Sequence, residues 1–139
     1  MDRHGNALRR GRCLFATLLL FAPALLAQNL SVRLVEAHNQ SSQVAKELSD
    51  VSAMLQRMLP YTGFRLLDSS TASLPQGAAA SMGAYTVKTS GPANACTVTI
   101  HKGKKQLLRT QVSLKGDTPL VVGGFPANGG KHLFVLKLR

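Results

Sequence analysis

The period of the apolar residues changes once along this chain, and that change constrains the fold more than any other feature. Val44, Leu48, Val51, Leu55 and Met58 recur at helical spacing and place one apolar stripe on an amphipathic helix. Glu47 early and Arg57 late suit the helix dipole. Residues 39–42 offer N-cap side chains, and Pro60 ends the helix because the residue before a proline is pushed out of the helical region. Beyond Pro60 the period drops to two. Phe64 and Leu66 flank Arg65, and Tyr85 and Val87 alternate with polar neighbours. Cys96, Val98 and Ile100 do the same, and so do Leu108, Thr110, Val112 and Leu114. Such alternation marks strands with one buried face.

The turns between these runs, at Ser90-Gly91-Pro92, residues 102–105, Gly116-Asp117 and Asn128-Gly129-Gly130, are too short for parallel crossovers. The expectation is an α+β fold: one amphipathic helix packed on an antiparallel sheet of about five strands. Leu30, Val32 and Leu34 read as a short strand or an extended lead-in to the helix. Residues 68–83, rich in Ser, Ala and Gly, read as a loop or irregular edge. Residues 119–122 read as a short strand ending at Gly123-Gly124. Residues 133–138 are apolar on both faces, which predicts a last strand that is central or covered by the helix.

The first 27 residues have a different logic. Arg3, Arg9, Arg10 and Arg12 precede an uncharged apolar stretch of 14 residues, interrupted by Pro23 and followed by the small Ala27. This is the layout of a secretory signal peptide, and it is shorter than the ~20 residues a membrane-spanning helix needs. The expectation is an exported protein, periplasmic or secreted, with 1–27 removed and 28–139 folding as a single α+β domain; retention as an N-terminal anchor is the alternative. The residues around Arg9-Arg10 do not support a twin-arginine signal. Cys13 opens the apolar stretch instead of following it, so it is not placed as a lipid acceptor. No segment after it is apolar enough to cross a bilayer.

Without the leader the chain keeps Cys96 as its one cysteine, so no internal disulfide can form. The alternation puts Cys96 inward, as a structural thiol, and His101 outward, so the two are not a nucleophile and its base. His38, His101 and His132 fall on separate elements and do not present metal-ligand spacing. Glu47 and Asp50 read as solvated charges on the polar side of the helix, and Asp68 and Asp117 as turn residues. No serine sits in a Gly-x-Ser-x-Gly elbow. Residues 123–132 fail as a phosphate loop, with Phe125 where a glycine is required and His132 where Ser or Thr would hold magnesium. Neither catalytic residues, a cofactor nor a metal is expected, and the chain reads as non-enzymatic.

Charge supplies the positive signal. Lys and Arg number 17 against 6 Asp and Glu, for a net charge of +11. From Cys96 to Arg139 the net charge is +7 over 44 residues, with Asp117 the one acid. Such a field attracts polyanions. Lys102, Lys104, Lys105 and Arg109 are the candidate anion-binding residues, and anionic polysaccharide or lipopolysaccharide the candidate ligand. Nucleic acid is disfavoured, because the chain has no Trp, 2 Tyr and 5 Phe, too few to interleave stacking aromatics with the cations. The plainer account of the same lysines is protection of strand edges from aggregation.

From Val32 to Leu138 the chain resembles a group of small exported bacterial proteins of uncharacterised function, through a helix leading into Leu59-Pro60-Tyr61-Thr62-Gly63-Phe64-Arg65-Leu66-Leu67, the stretch 107–124, and the closing Gly129-Gly130 hairpin with its final apolar strand. The segment Gly116-Asp117-Thr118-Pro119-Leu120-Val121-Val122-Gly123-Gly124 is also similar to a strand-turn-strand in the membrane-associated domain of bacterial secretins. The resemblance implies a binding or accessory domain of the bacterial envelope, with an envelope protein of a secretion or pilus assembly as partner. It supplies no catalytic residues. A binder of anionic envelope polymers, acting through the basic C-terminal half, is the alternative.

Overall fold

The computed structural model describes residues 28–139, so the leader read from residues 1–27 lies outside the described residues. Eight strands form two four-stranded antiparallel sheets. The first sheet has the order β2-β1-β8-β7, built from β1 (Gln28–His38), β2 (Gly63–Leu74), β7 (Leu120–Ala127) and β8 (Gly130–Leu138). The second has the order β3-β4-β5-β6, a continuous meander of β3 (Ala78–Met82), β4 (Tyr85–Ser90), β5 (Cys96–Lys102) and β6 (Lys105–Val112). The chain therefore enters the first sheet, leaves it for the whole of the second, and returns to close beside its own start.

Alternation in β1 and β8 organises the core on both sides of the first sheet. Leu30, Val32, Leu34, Phe134, Leu136 and Leu138 face the second sheet, where they pack on Met82, Tyr85, Val87, Cys96, Val98 and Ile100. Val35, Ala37, Leu133 and Val135 face the other way. They are covered by Leu48, Val51 and Leu55 from the segment that carries the 3-10 turn Lys46–Leu48 and the helix α1 (Ser52–Met58). The molecule thus has three layers: helix, sheet, sheet. The inner strands β1 and β8 are apolar on both faces because both faces are covered.

The α+β class and the antiparallel pairing are present, but one helix on one five-stranded sheet is not the architecture. Two readings hid the additional strands. Residues 68–83, expected as a loop or irregular edge, are the second half of β2 and all of β3, regular strands that stand at the edges of the two sheets. Ala72 and Leu74 alternate with Ser73 and pair with β1, but alanine and serine give a weaker strand signal than β-branched residues. Leu30 to Leu34, expected as a short strand or an extended lead-in, is a strand, and a central one that runs from Gln28 to His38. The expected helix is also shorter. Its stripe is divided between the 3-10 turn and α1, Val44 instead bridges Phe64 on the edge of β2, and no side chain caps α1. Asp50 lies at the break between the two pieces, held by Arg33 and Lys137. The last strand is central, and Leu133 and Val135 lie under the helical segment, as its two-sided apolar pattern predicts. Among the described residues no helix is long and apolar enough to cross a membrane.

Candidate binding surface

The second sheet has one apolar face and one polar face. Tyr85 and Val87, Cys96, Val98 and Ile100 point into the core, so Thr86, Lys88, Ser90, Thr97, Thr99 and His101 point out. Cross-strand register turns this alternation into rows. Lys88 lies opposite Thr99, and Thr99 opposite Arg109. Ser90, Thr97 and Gln111 make the row on one side, and Thr86, His101 and Gln106 the row on the other. A depression of about 420 Å³ lies over this face, lined by Gln76, Lys88, Ser90, Thr97, Thr99 and Arg109.

The four residues expected to bind anions are divided by the fold. Lys102, Lys104 and Lys105 meet in the hairpin joining β5 and β6, where Lys102 and Lys105 are directly opposed. The Lys102 ammonium lies 5.9 Å from the centre of the Tyr85 ring, on the core side of the sheet. Arg109 is on the outer face instead, in the row with Lys88. Lys88 was absent from the expected set. Its alternation with Val87 placed it outward, but nothing in the sequence shows that β4 and β6 flank β5 and bring Lys88 and Arg109 to either side of one threonine.

Bases lie on both sheets, but the acids carried by strands lie on the first sheet alone. No Asp or Glu occurs between Asp68 and Asp117, so the second sheet carries Lys88, Lys102, Lys104, Lys105 and Arg109 without an anion of its own. Every ion pair among the described residues is on the first sheet and its helical cover. Arg33 grips Asp50 with both ends of its guanidinium, at 2.8 and 3.0 Å, and also donates to the Glu47 carbonyl. Lys137 reaches the same carboxylate at 3.0 Å. Asp50 is thus not the solvated helix-face charge its position suggested.

The Arg33 hydrogen bonds, with help from Lys137, hold the Asp50 carboxyl well below the usual carboxylate range, against a partial opposing effect of burial. A depressed folded-state pKa stabilises the fold above the unfolded pKa and is lost as pH falls through the folded one. Asp50→Asn is therefore expected to cost about 1–3 kcal/mol at neutral pH, less than a fully buried pair, because Asp50 is 38% exposed. The gap to wild type should shrink as pH drops below about 4. Urea midpoints from pH 7 to pH 2 measure this, and a gap constant over that range would contradict it.

A second polar chain sits at the rim between the sheets, and it too was invisible in sequence because its members lie far apart in the chain. The Tyr85 hydroxyl is 2.8 Å from His132 Nδ1, and His132 Nε2 is 3.3 Å from Glu36 Oε2. The tautomer with its proton on Nε2 satisfies both contacts: Nε2 donates to Glu36 and Nδ1 accepts from Tyr85. Arg65 donates to the other Glu36 oxygen. Phe125 and Phe134 pack on the Tyr85 ring, and burial raises the phenol's pKa. Tyr85 is 2% exposed, and its bond to His132 ties the two sheets together. Cys96 is fully buried in the same core, and burial pushes its thiol up, with a smaller opposing effect from the backbone at Ser90. His101 and His132 belong to different sheets and do not meet.

A further open feature is a groove of about 700 Å³ where residues 43–45 lie along the edge of β2, lined by His38, Gln43, Lys46 and Arg65. Its charges are few, and Arg65 is already engaged by Glu36. Compared with known proteins, the chain matches no family model, no curated protein and no solved structure.

Proposed function

We propose that this chain is an exported, non-enzymatic binding domain of the bacterial envelope, and that its second sheet holds anionic polymers. The observation that carries the reading is the segregation of charge: five cations on one sheet with no carboxylate partner among the described residues. Cations kept for folding are usually paired or scattered, as Arg33 and Lys137 are paired here. A one-sign surface raises the local concentration of an oppositely charged ligand and speeds its encounter. Export is supported by the Arg-rich start and the apolar stretch that follows it. Charge segregation favours this reading over docking to a secretion or pilus protein, because specific protein interfaces draw their energy from a few buried anchors instead of a spread of exposed lysines.

The test is binding of residues 28–139 to dextran sulfate and to neutral dextran over a series of salt concentrations. Binding to the sulfated polymer alone is expected, weakening as salt rises through about 0.15 M, where screening acts beyond ~8 Å. Replacing Lys102, Lys104 and Lys105 together by Gln should weaken it several-fold while leaving stability within about 0.5 kcal/mol. Equal binding to both polymers, or none to either near 0.15 M, would overturn the reading.

A further inference from the structure

We infer that Lys88, Thr99 and Arg109 form a recognition row for an extended polysaccharide that carries a carboxylate at regular intervals, of the kind made by β-1,4-linked uronic acids. The inference rests on the anionic-polymer reading and gives it a place and a ligand class.

The row is fixed by register, not by loop conformation. Lys88, Thr99 and Arg109 occupy directly opposed positions on β4, β5 and β6. Neighbouring strands are ~4.8 Å apart, so the backbone positions of the two cations are ~10 Å apart with a hydroxyl between them. Both cations are exposed, and neither has a carboxylate partner among the described residues. Thr99 between them relieves the repulsion that directly opposed like charges would suffer. On the far side of Lys88 the next residue in the row is Ala79, which leaves the approach open.

That spacing discriminates between anions. Folding both long side chains over Thr99 onto one small ion would cost rotamer freedom and bring two cations together. Two carboxylates along a stiff chain can instead be met at the separation the strands already set. Arg109 can take a carboxylate through two parallel N–H donors. The rows on either side supply Ser90, Thr97, Gln111, Thr86 and Gln106, hydroxyls and amides that suit sugar hydroxyls. His101 is the single ring on this face among the described residues, since Tyr85 lies in the core and Phe125 stacks on it; nucleic-acid bases would find no row of aromatics to stack on. The depression of about 420 Å³ takes in all three residues of the row.

The experiment is calorimetric titration of residues 28–139, near 0.15 M salt, with a short β-1,4-mannuronate oligosaccharide, its carboxyl-reduced form and polyphosphate. Wild type should bind the mannuronate, fail to bind the reduced form and bind polyphosphate more weakly. Lys88→Gln with Arg109→Gln should lose about tenfold or more in mannuronate affinity, the scale of lost charge-assisted hydrogen bonds. Thr99→Val, which keeps shape and removes the hydroxyl, should lose a few-fold. The hairpin variant Lys102→Gln, Lys104→Gln, Lys105→Gln should lose less than the row variant on so short a ligand. All are surface changes, and matching melting curves would confirm that each is folded. If the row variant binds like wild type, if the reduced oligosaccharide binds as well, or if polyphosphate binds as tightly with the same losses, the row is wrong while binding of sulfated dextran leaves the broader reading standing. If wild type binds neither mannuronate nor dextran sulfate, both fall together.

Discussion

Leu55→Ala and Leu48→Ala each lower the stability of the fold by ~2–5 kcal/mol, the range for emptying a buried leucine site in a packed core. Both side chains are fully buried, and they lie in the cluster with Val35, Phe64, Leu133 and Val135. They are what the helical segment contributes to the first sheet. α1 has seven residues, too few to hold a helix by backbone bonding alone, so its structure depends on this contact. A loss of that size is a large part of the ~5–15 kcal/mol that a small fold commands. It should move the melting temperature by several degrees per kcal/mol. Met58 is 59% exposed on the same segment, and Met58→Ala should stay within about 0.5 kcal/mol of wild type. Urea unfolding of the three variants, with an unchanged denaturant slope, measures the contrast. Leucine variants that unfold with wild type would mean that the helical segment does not cover the first sheet.

What could be read in advance divides along a physical line. Period-two alternation depends on one strand and its two faces, and it was legible wherever side chains were large: Tyr85 and Val87, Cys96 to Ile100, and residues 133–138. Its assignment of inward and outward faces holds in the structure. Where the inward residues were Ala72 and Ala80 the signal was weak, and β3 with half of β2 passed for a loop or irregular edge. Pairing order is a property of the whole chain, so the division into two sheets could not be read from local pattern. The candidate surface follows the same line. Lys102, Lys104 and Lys105 are neighbours in sequence and remain neighbours in space. Lys88 and Arg109 are 21 positions apart and become one row only through β5. Asp50 was read from local position as a solvated helix-face charge and Glu36 drew no attention, yet their partners come from β1, β2 and β8.

Gly77→Ala is expected to cost ~2–5 kcal/mol, from two separate physical sources. Gly77 ends the turn that carries the chain out of β2 and into β3, so it stands at the passage from one sheet to the other. Its φ of 79° lies in the left-handed region, where a side chain costs roughly 1–2 kcal/mol. A Cβ there would also fall 1.7 Å from the Thr89 carbonyl oxygen and 2.8 Å from the Ser90 Cα. Those are backbone atoms of β4, which is itself paired with β3 and β5, so they cannot swing aside as the end of a side chain could. Relieving the overlap requires a backbone shift, which adds ~1–3 kcal/mol. Gly103, in the hairpin of the three lysines, separates the two contributions: its φ is 63°, but a Cβ there meets nothing within 4 Å. Gly103→Ala should therefore show the conformational cost alone, ~1–2 kcal/mol. The difference between the two variants in denaturant unfolding is the cost of pushing the turn away from β4. Equal losses would mean that the turn does not press on Thr89, and that the sheets are joined more loosely than this geometry requires.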